Sequence, residues 1–231
     1  VEIKTYGERL FVVEGPIVSF YGAPYPTRMC VAKLEDGGLW IHSPIAVNAQ
    51  LKQEVDSWGR VACIVSPNKI HHLAMGEWAS AYPDAEMWAS PGLAAKRRDL
   101  RFRNELGDEA PARWAREIDQ LIFRGSSVMD EVVFFHRQSR VLIVADLIEN
   151  FPPDAIPWWM KPIAHMAGIV APNGQAPIDF RLSFRDKEAA RDCLRRILAW
   201  EPAHVIMAHG TPLEGIAALR HAFRWLGLNE H

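Results

Sequence analysis

The chain has 231 residues, 49% of them apolar, and a formal net charge of −2 at neutral pH. That is enough apolar material for a sizeable core, and the near-balanced charge excludes a global field of the kind that draws a protein to nucleic acid or to a membrane surface. Three cysteines, an odd and widely spaced set with no CxxC pair, exclude a disulfide framework and a zinc ribbon.

Taken in order, the first forty-odd residues predict strands at Leu10–Val13, Ile17–Tyr21, Met29–Leu34 and Leu39–His42, with Asp36-Gly37-Gly38 as a hairpin turn. Ala46–Trp58 reads as a helix, since Val47, Leu51 and Val55 recur every four residues on one face. Arg60–Val65 is an almost wholly apolar run, the pattern of a strand buried on both sides. A polar loop from Ser66 to His72 leads to a helix through Trp78, then a short strand at Glu86–Ala89. The charged stretch Lys96–Arg116 predicts surface helices and loops. Within it Lys96 to Arg103 reads as a solvated face or, more sharply, an anion-binding rim. Strands resume at Gln120–Arg124, Glu131–Phe135 and Arg140–Ala145, with Glu131 opening an apolar strand either as a structural group or facing a site.

Asp186–Trp200 is an amphipathic helix with Ala190, Cys193, Leu194, Ile197 and Leu198 on one face. His204–Ala208 is a strand, and Leu213–Leu226 a closing helix with Leu213, Ile216, Leu219, Phe223 and Leu226 inward. Two halves of similar layout predict two mixed sheets packed face to face with helices outside, an α+β architecture in one domain. The nine tryptophans are expected as core or pocket walls. Cys63 and Cys193 fall in apolar settings as buried thiols, in keeping with a reducing, cytoplasmic compartment. Neither a signal peptide nor a membrane-length apolar run is visible.

Three candidate ligands share one placement. His71 and His72 follow strand Val61–Val65, Asp146 ends strand Val141–Ala145, and His209 ends strand Val205–Ala208. Side chains at rigid strand ends can converge at one rim of a sheet. Imidazoles with a carboxylate suit zinc, iron or manganese. Taken singly, each also reads as a turn or capping residue, and adjacent His71 and His72 point different ways. Trp158-Trp159 after the Pro-rich loop could wall a pocket and so contact a substrate, form a dimer contact, or pack on the core.

In the order and context of these segments the chain resembles the metallo-β-lactamase superfamily from about Leu10 to Leu226. It is similar to a bacterial branch with an Asn-Lys-x-His-His loop and a Leu-Trp-x-His-Ser-Pro segment, here Asn68–His72 and Leu39–Pro44. The resemblance implies a four-layer αββα sandwich. It implies hydrolysis of a small ester, amide or phosphoester with a single divalent ion, held by His72, Asp146 and His209 with His71 as the addition. Pro67, Lys69 and Ser126 stand where the family's other metal would have its histidines, and Lys69 is expected to bind substrate from there. The alternative is a non-catalytic descendant that binds a small ligand or a protein, a homodimer included.

Overall fold

Apolar alternation with few breakers makes the N-terminal third of the chain extended. A computed structural model, which describes residues 2–20 and 23–228, forms there an antiparallel meander of β1 (Glu2–Tyr6), β2 (Leu10–Phe20), β3 (Ala23–Lys33) and β4 (Gly38–His42). The polar edge strand β1 is invisible to periodicity, because only its pairing with β2 orders it. The expected strand from Ile17 is a continuation of β2 beyond a register shift between Glu14 and Ile17, and Tyr21 lies outside the described residues.

Three parallel strands extend this sheet. They are β5 (Arg60–Val65), β6 (Glu86–Ala89) and β7 (Asn104–Glu105), joined through α1 (Ala49–Trp58), α2 (Met75–Ala81) and α3 (Leu93–Lys96). Helix α1 starts three residues later than periodicity suggests, because the Asn48 side chain accepts the Leu51 N–H at 2.8 Å and so caps it. Most of the charged stretch after Lys96 is turn and extended chain, not helix, and Trp114 within it is buried.

The second sheet has the order β14-β12-β10-β9-β8. Its members are β8 (Ile118–Phe123), β9 (Glu131–His136), β10 (Val141–Ile143), β12 (His204–Ile206) and β14 (Leu213–Glu214). Between them run β11 (Glu149–Asn150), α4 (Lys161–Ala167), α5 (Ile178–Ser183), α6 (Lys187–Ala199) and β13 (His209–Gly210), and α7 (Gly215–Ala222) closes the sequence with a 3-10 turn at Arg224–Leu226. The expected helix from Leu213 is therefore shortened. Leu213 pairs with Val205 in the sheet, and Ile216 is exposed.

Burial sorts into layers. Trp40, Val65, Trp114, Phe134, Ile143 and Ile206 pack between the two sheets. Leu51, Val55, Trp78 and Leu93 lie between the first sheet and α1 to α3. Leu142, Cys193, Ile197 and Leu219 lie between the second sheet and α6 and α7. The result is the αββα arrangement.

Cys30, Cys63 and Cys193 are all free and buried. Burial pushes the first two thiols up to about 12. Thiol labelling with intact-mass analysis should count three labels after denaturation and essentially none before it; a single label in denaturant would show an unexpected disulfide.

His136, 2% exposed, bonds Ser139 Oγ through Nδ1 at 2.7 Å. Burial, with Arg9 adding repulsion, pushes its pKa down to about 4. A histidine kept neutral by the fold stabilises it fully above the unfolded pKa of about 6.5, and that stability is lost as pH falls toward the folded value. Between about pH 7.5 and about pH 5 the wild type should lose roughly 2 kcal/mol more than His136→Gln in urea denaturation. Parallel losses would show that His136 protonates freely in the fold.

Candidate metal centre

Three elements deliver the site. The loop after β5 carries His71, the end of β10 leads to Asp146, and β13 begins at His209. His71 Nε2 is 3.3 Å and His209 Nε2 is 3.4 Å from the same oxygen, Asp146 Oδ1. One ligand atom from each of the three residues lies within 4.8 Å of the others. Their side chains are 10%, 13% and 8% exposed for His71, Asp146 and His209, so they are reachable yet largely shielded from water.

The remaining imidazole nitrogens are already engaged. His209 Nδ1 donates to the Pro26 carbonyl at 2.7 Å, and His71 Nδ1 bonds Ser43 Oγ at 2.7 Å. A carbonyl only accepts, so a neutral His209 carries its proton on Nδ1 and presents the Nε2 lone pair toward Asp146. Fixing the outer nitrogen in this way is how proteins orient metal-binding histidines. Ser43 holds its hydroxyl in place from a left-handed backbone, φ 52°, at the end of β4. Gly210 permits the third contribution. At φ +102° any Cβ there would lie 2.2 Å from the Asn150 carbonyl, so only glycine lets β13 pair against β11.

Behind Asp146 stands a buried polar clamp. Asn68 Nδ2 donates to Asp146 Oδ2 at 2.7 Å and to Glu131 Oε2 at 3.0 Å, while Asn68 Oδ1 accepts the N–H groups of Ile70 and His71. Glu131 accepts the N–H groups of Ala145 and Asp146 at 2.7 and 2.8 Å. Burial and the Asp146 charge raise the Glu131 carboxyl to about 7. Asp146 moves the opposite way: burial opposes its ionisation, but His71 and His209 outweigh it and hold the carboxyl well below the usual range. His209 is correspondingly raised, burial working against the stronger pull of Asp146.

The triad sits on a cavity of about 220 Å³ walled by Val18, Ile45, Ile70, Leu73 and other apolar side chains, with Tyr25, Glu149 and Ser43 among its polar members. Two imidazoles, a carboxylate and a cavity on the open side fit a divalent ion of the three-ligand type that leaves a position for substrate. Among the described residues no second such group occurs.

Of the residues singled out from sequence, the structure brings together His71, Asp146 and His209. His72 is not with them. The loop turns its ring away from them, to where Arg97 Nη1 donates to His72 Nδ1 at 2.9 Å and to its carbonyl at 3.1 Å. The spacing favoured His72 with His71 as an addition, whereas the structure groups His71 with Asp146 and His209, since consecutive side chains in a turn diverge. Lys69 lies outside the cavity wall, its Cε 2.8 Å from where a side chain at Gly92 would begin. Trp158 and Trp159 stand in solvent before α4, 82% and 56% exposed, and do not line the cavity. Ser126 bonds Ser183, and Pro67 serves through its carbonyl, which accepts the Val132 N–H. Sequence reasoning did not see the parts played by Ser43, Asn68, Tyr25 and Glu149. For Asn68 the signal was an Asx-type residue before His71; for Glu131, an acid opening an apolar strand.

Solved structures place the architecture. The DIM-1 metallo-β-lactamase superposes with a TM-score of 0.66 at 17% identity, over 98% of this chain and 96% of that one. A metallo-β-lactamase from Pontibacter korlensis gives 0.68 at 13% identity over 99% of each chain. The rubredoxin oxygen:oxidoreductase of Desulfovibrio gigas gives 0.65 at 11% identity, over 97% of this chain and 60% of that one. The chain is thus a divergent member of the metallo-β-lactamase fold. Residues 17–167 match the family described as "Domain of unknown function (DUF4336)", and the chain belongs to that family. No curated protein matches it.

Replacing Ser43 with alanine frees His71 to rotate. Zinc affinity, read by competition with a chromogenic chelator, should fall about 10–100-fold. An unchanged affinity would mean that Ser43 does not orient the ligand.

Proposed function

We propose that this protein is a metal-dependent hydrolase that holds one divalent ion at His71, Asp146 and His209 and cleaves a small ester or amide. The carrying observation is the convergence of three ligand atoms within 4.8 Å at the floor of an apolar cavity. A divalent ion there would supply Lewis acidity toward a carbonyl and a nucleophilic water at neutral pH. The chain's own groups do the rest. Ser43 and the Pro26 carbonyl fix the imidazoles, Asn68 and Glu131 lock Asp146, and the apolar walls exclude bulk water. Ester and amide are favoured over phosphoester because, among the described residues, no Lys or Arg lines the cavity to meet a phosphate.

The layer shared by both sheets supports reading the chain as one domain. The free buried thiols support a reducing, cytoplasmic setting. No helix among the described residues is long and apolar enough to cross a membrane. Ester, lactone, amide, lactam and phosphodiester panels, run with and without chelator, test the activity. Chelator-sensitive turnover of a carbonyl substrate is expected; silence on every panel by metal-loaded protein would leave a ligand-binding protein instead.

A further inference from the structure

Glu149 is 3% exposed, lines the cavity beside the triad, and its Oε2 is buried with no hydrogen-bond partner among the described residues. An unsatisfied buried acceptor is costly and calls for a partner. The metal triad does not provide one: the set of mutually close ligand atoms comprises His71, Asp146 and His209 and leaves Glu149 out. The cavity carries a second charge feature. Its wall includes the carboxyl groups of Glu77, Asp146 and Glu149 and, among the described residues, no lysine or arginine. Glu77 is exposed at the α2 side, where it also accepts the Val47 N–H at 2.9 Å. Burial pushes the Glu149 carboxyl up to about 8, so it is ionised above that pH.

We propose that the cavity selects a small ligand with an apolar body and a positively charged amine, the ammonium N–H groups meeting Glu149. This rests on the reading of the same cavity as the substrate site and narrows it to cationic esters or amides. The apolar walls take the hydrocarbon part, and the Tyr25 ring beside Glu149 offers an aromatic surface of the kind that also favours an ammonium. In the metal-free cavity a carboxylate-bearing ligand of the same shape would meet like charge and, among the described residues, no lysine or arginine.

The test is isothermal titration of the purified, chelator-treated protein with n-hexylammonium, hexan-1-ol and hexanoate. At about pH 9, where Glu149 is ionised, n-hexylammonium should bind about tenfold more tightly than the alcohol, the worth of one hydrogen bond to a charged group, with hexanoate weakest. Glu149→Gln should bring the ammonium down to the level of the alcohol while the alcohol's own affinity stays, which also shows that the variant is folded. Hexanoate binding more tightly than n-hexylammonium, or a preference that survives Glu149→Gln, overturns the proposal. Elemental analysis of the protein as purified, before chelator treatment, separates the two readings. A protein that takes no metal but keeps the ammonium preference would sink the hydrolase and leave this inference standing, and full metal occupancy without the preference would do the reverse.

Discussion

Protein purified without a metal-affinity tag is expected to carry about one equivalent of a divalent metal, and alanine at His71, Asp146 or His209 is expected to abolish it. Each of these changes removes one of three ligands, so the loss should exceed the about 10–100-fold cost of removing an orienting partner such as Ser43. His72→Ala is the informative control. Its ring is bonded to Arg97 and lies outside the group, so metal content should hold. His136→Ala should also keep the ion, since that residue stands at the far end of β9, bonded to Ser139. Elemental analysis paired with thermal melts separates loss of metal from loss of fold. Two equivalents per chain would overturn the single-site reading, and loss in His72→Ala with retention in His71→Ala would restore the ligand set expected from sequence spacing.

The largest expected effect on stability is at Glu131. Leucine there would leave the N–H groups of Ala145 and Asp146 without their acceptor and would take one of two acceptors from Asn68 Nδ2. Each buried donor so abandoned costs about 1–3 kcal/mol. Relief from burying a carboxyl returns part of that. The net expectation is a loss of about 3–5 kcal/mol in urea denaturation, read as a lower midpoint at similar slope. Glu131→Gln keeps an acceptor oxygen and should cost less than half as much. If Glu131→Leu were as stable as the wild type, the clamp would be dispensable and Asp146 would owe its position to the β10 backbone alone. Because the clamp sets the strand end that carries Asp146, the leucine variant should also bind zinc more weakly than its residual stability explains.

Much of the fold was legible in the chain because its signals are local. Arg60–Val65 reads as a doubly buried strand from its apolar run, and is one in the structure. The helix over Asp186–Trp200 follows from its apolar face and from the Asp186 cap, whose side chain accepts the Ala189 N–H. The resemblance to metallo-β-lactamases, carried by the placement of His and Asp residues after buried strands, agrees with the architecture found. Where local signals were weak, the reading slipped. Strand β1 is polar and ordered by its partner, and Leu213 forms a sheet pair where periodicity offered a helix.

The site divides along the same line. The sequence pointed to His71, His72, Asp146 and His209 as one group, through their shared placement after apolar strands and the family resemblance together. Only the tertiary structure decided which histidine turns inward, because that depends on Ser43 waiting at the end of another strand and on Arg97 engaging the other ring. It alone gave Asn68 and Glu131 their task, since their partners lie 63 to 78 positions apart for Asn68 and 14 or 15 apart for the backbone that Glu131 holds. It also set Trp158 and Trp159 in solvent and Glu149 in the wall of the cavity. Composition and spacing constrain what a residue can do, whereas the direction of a side chain and the company it keeps are set by contacts between segments distant in sequence.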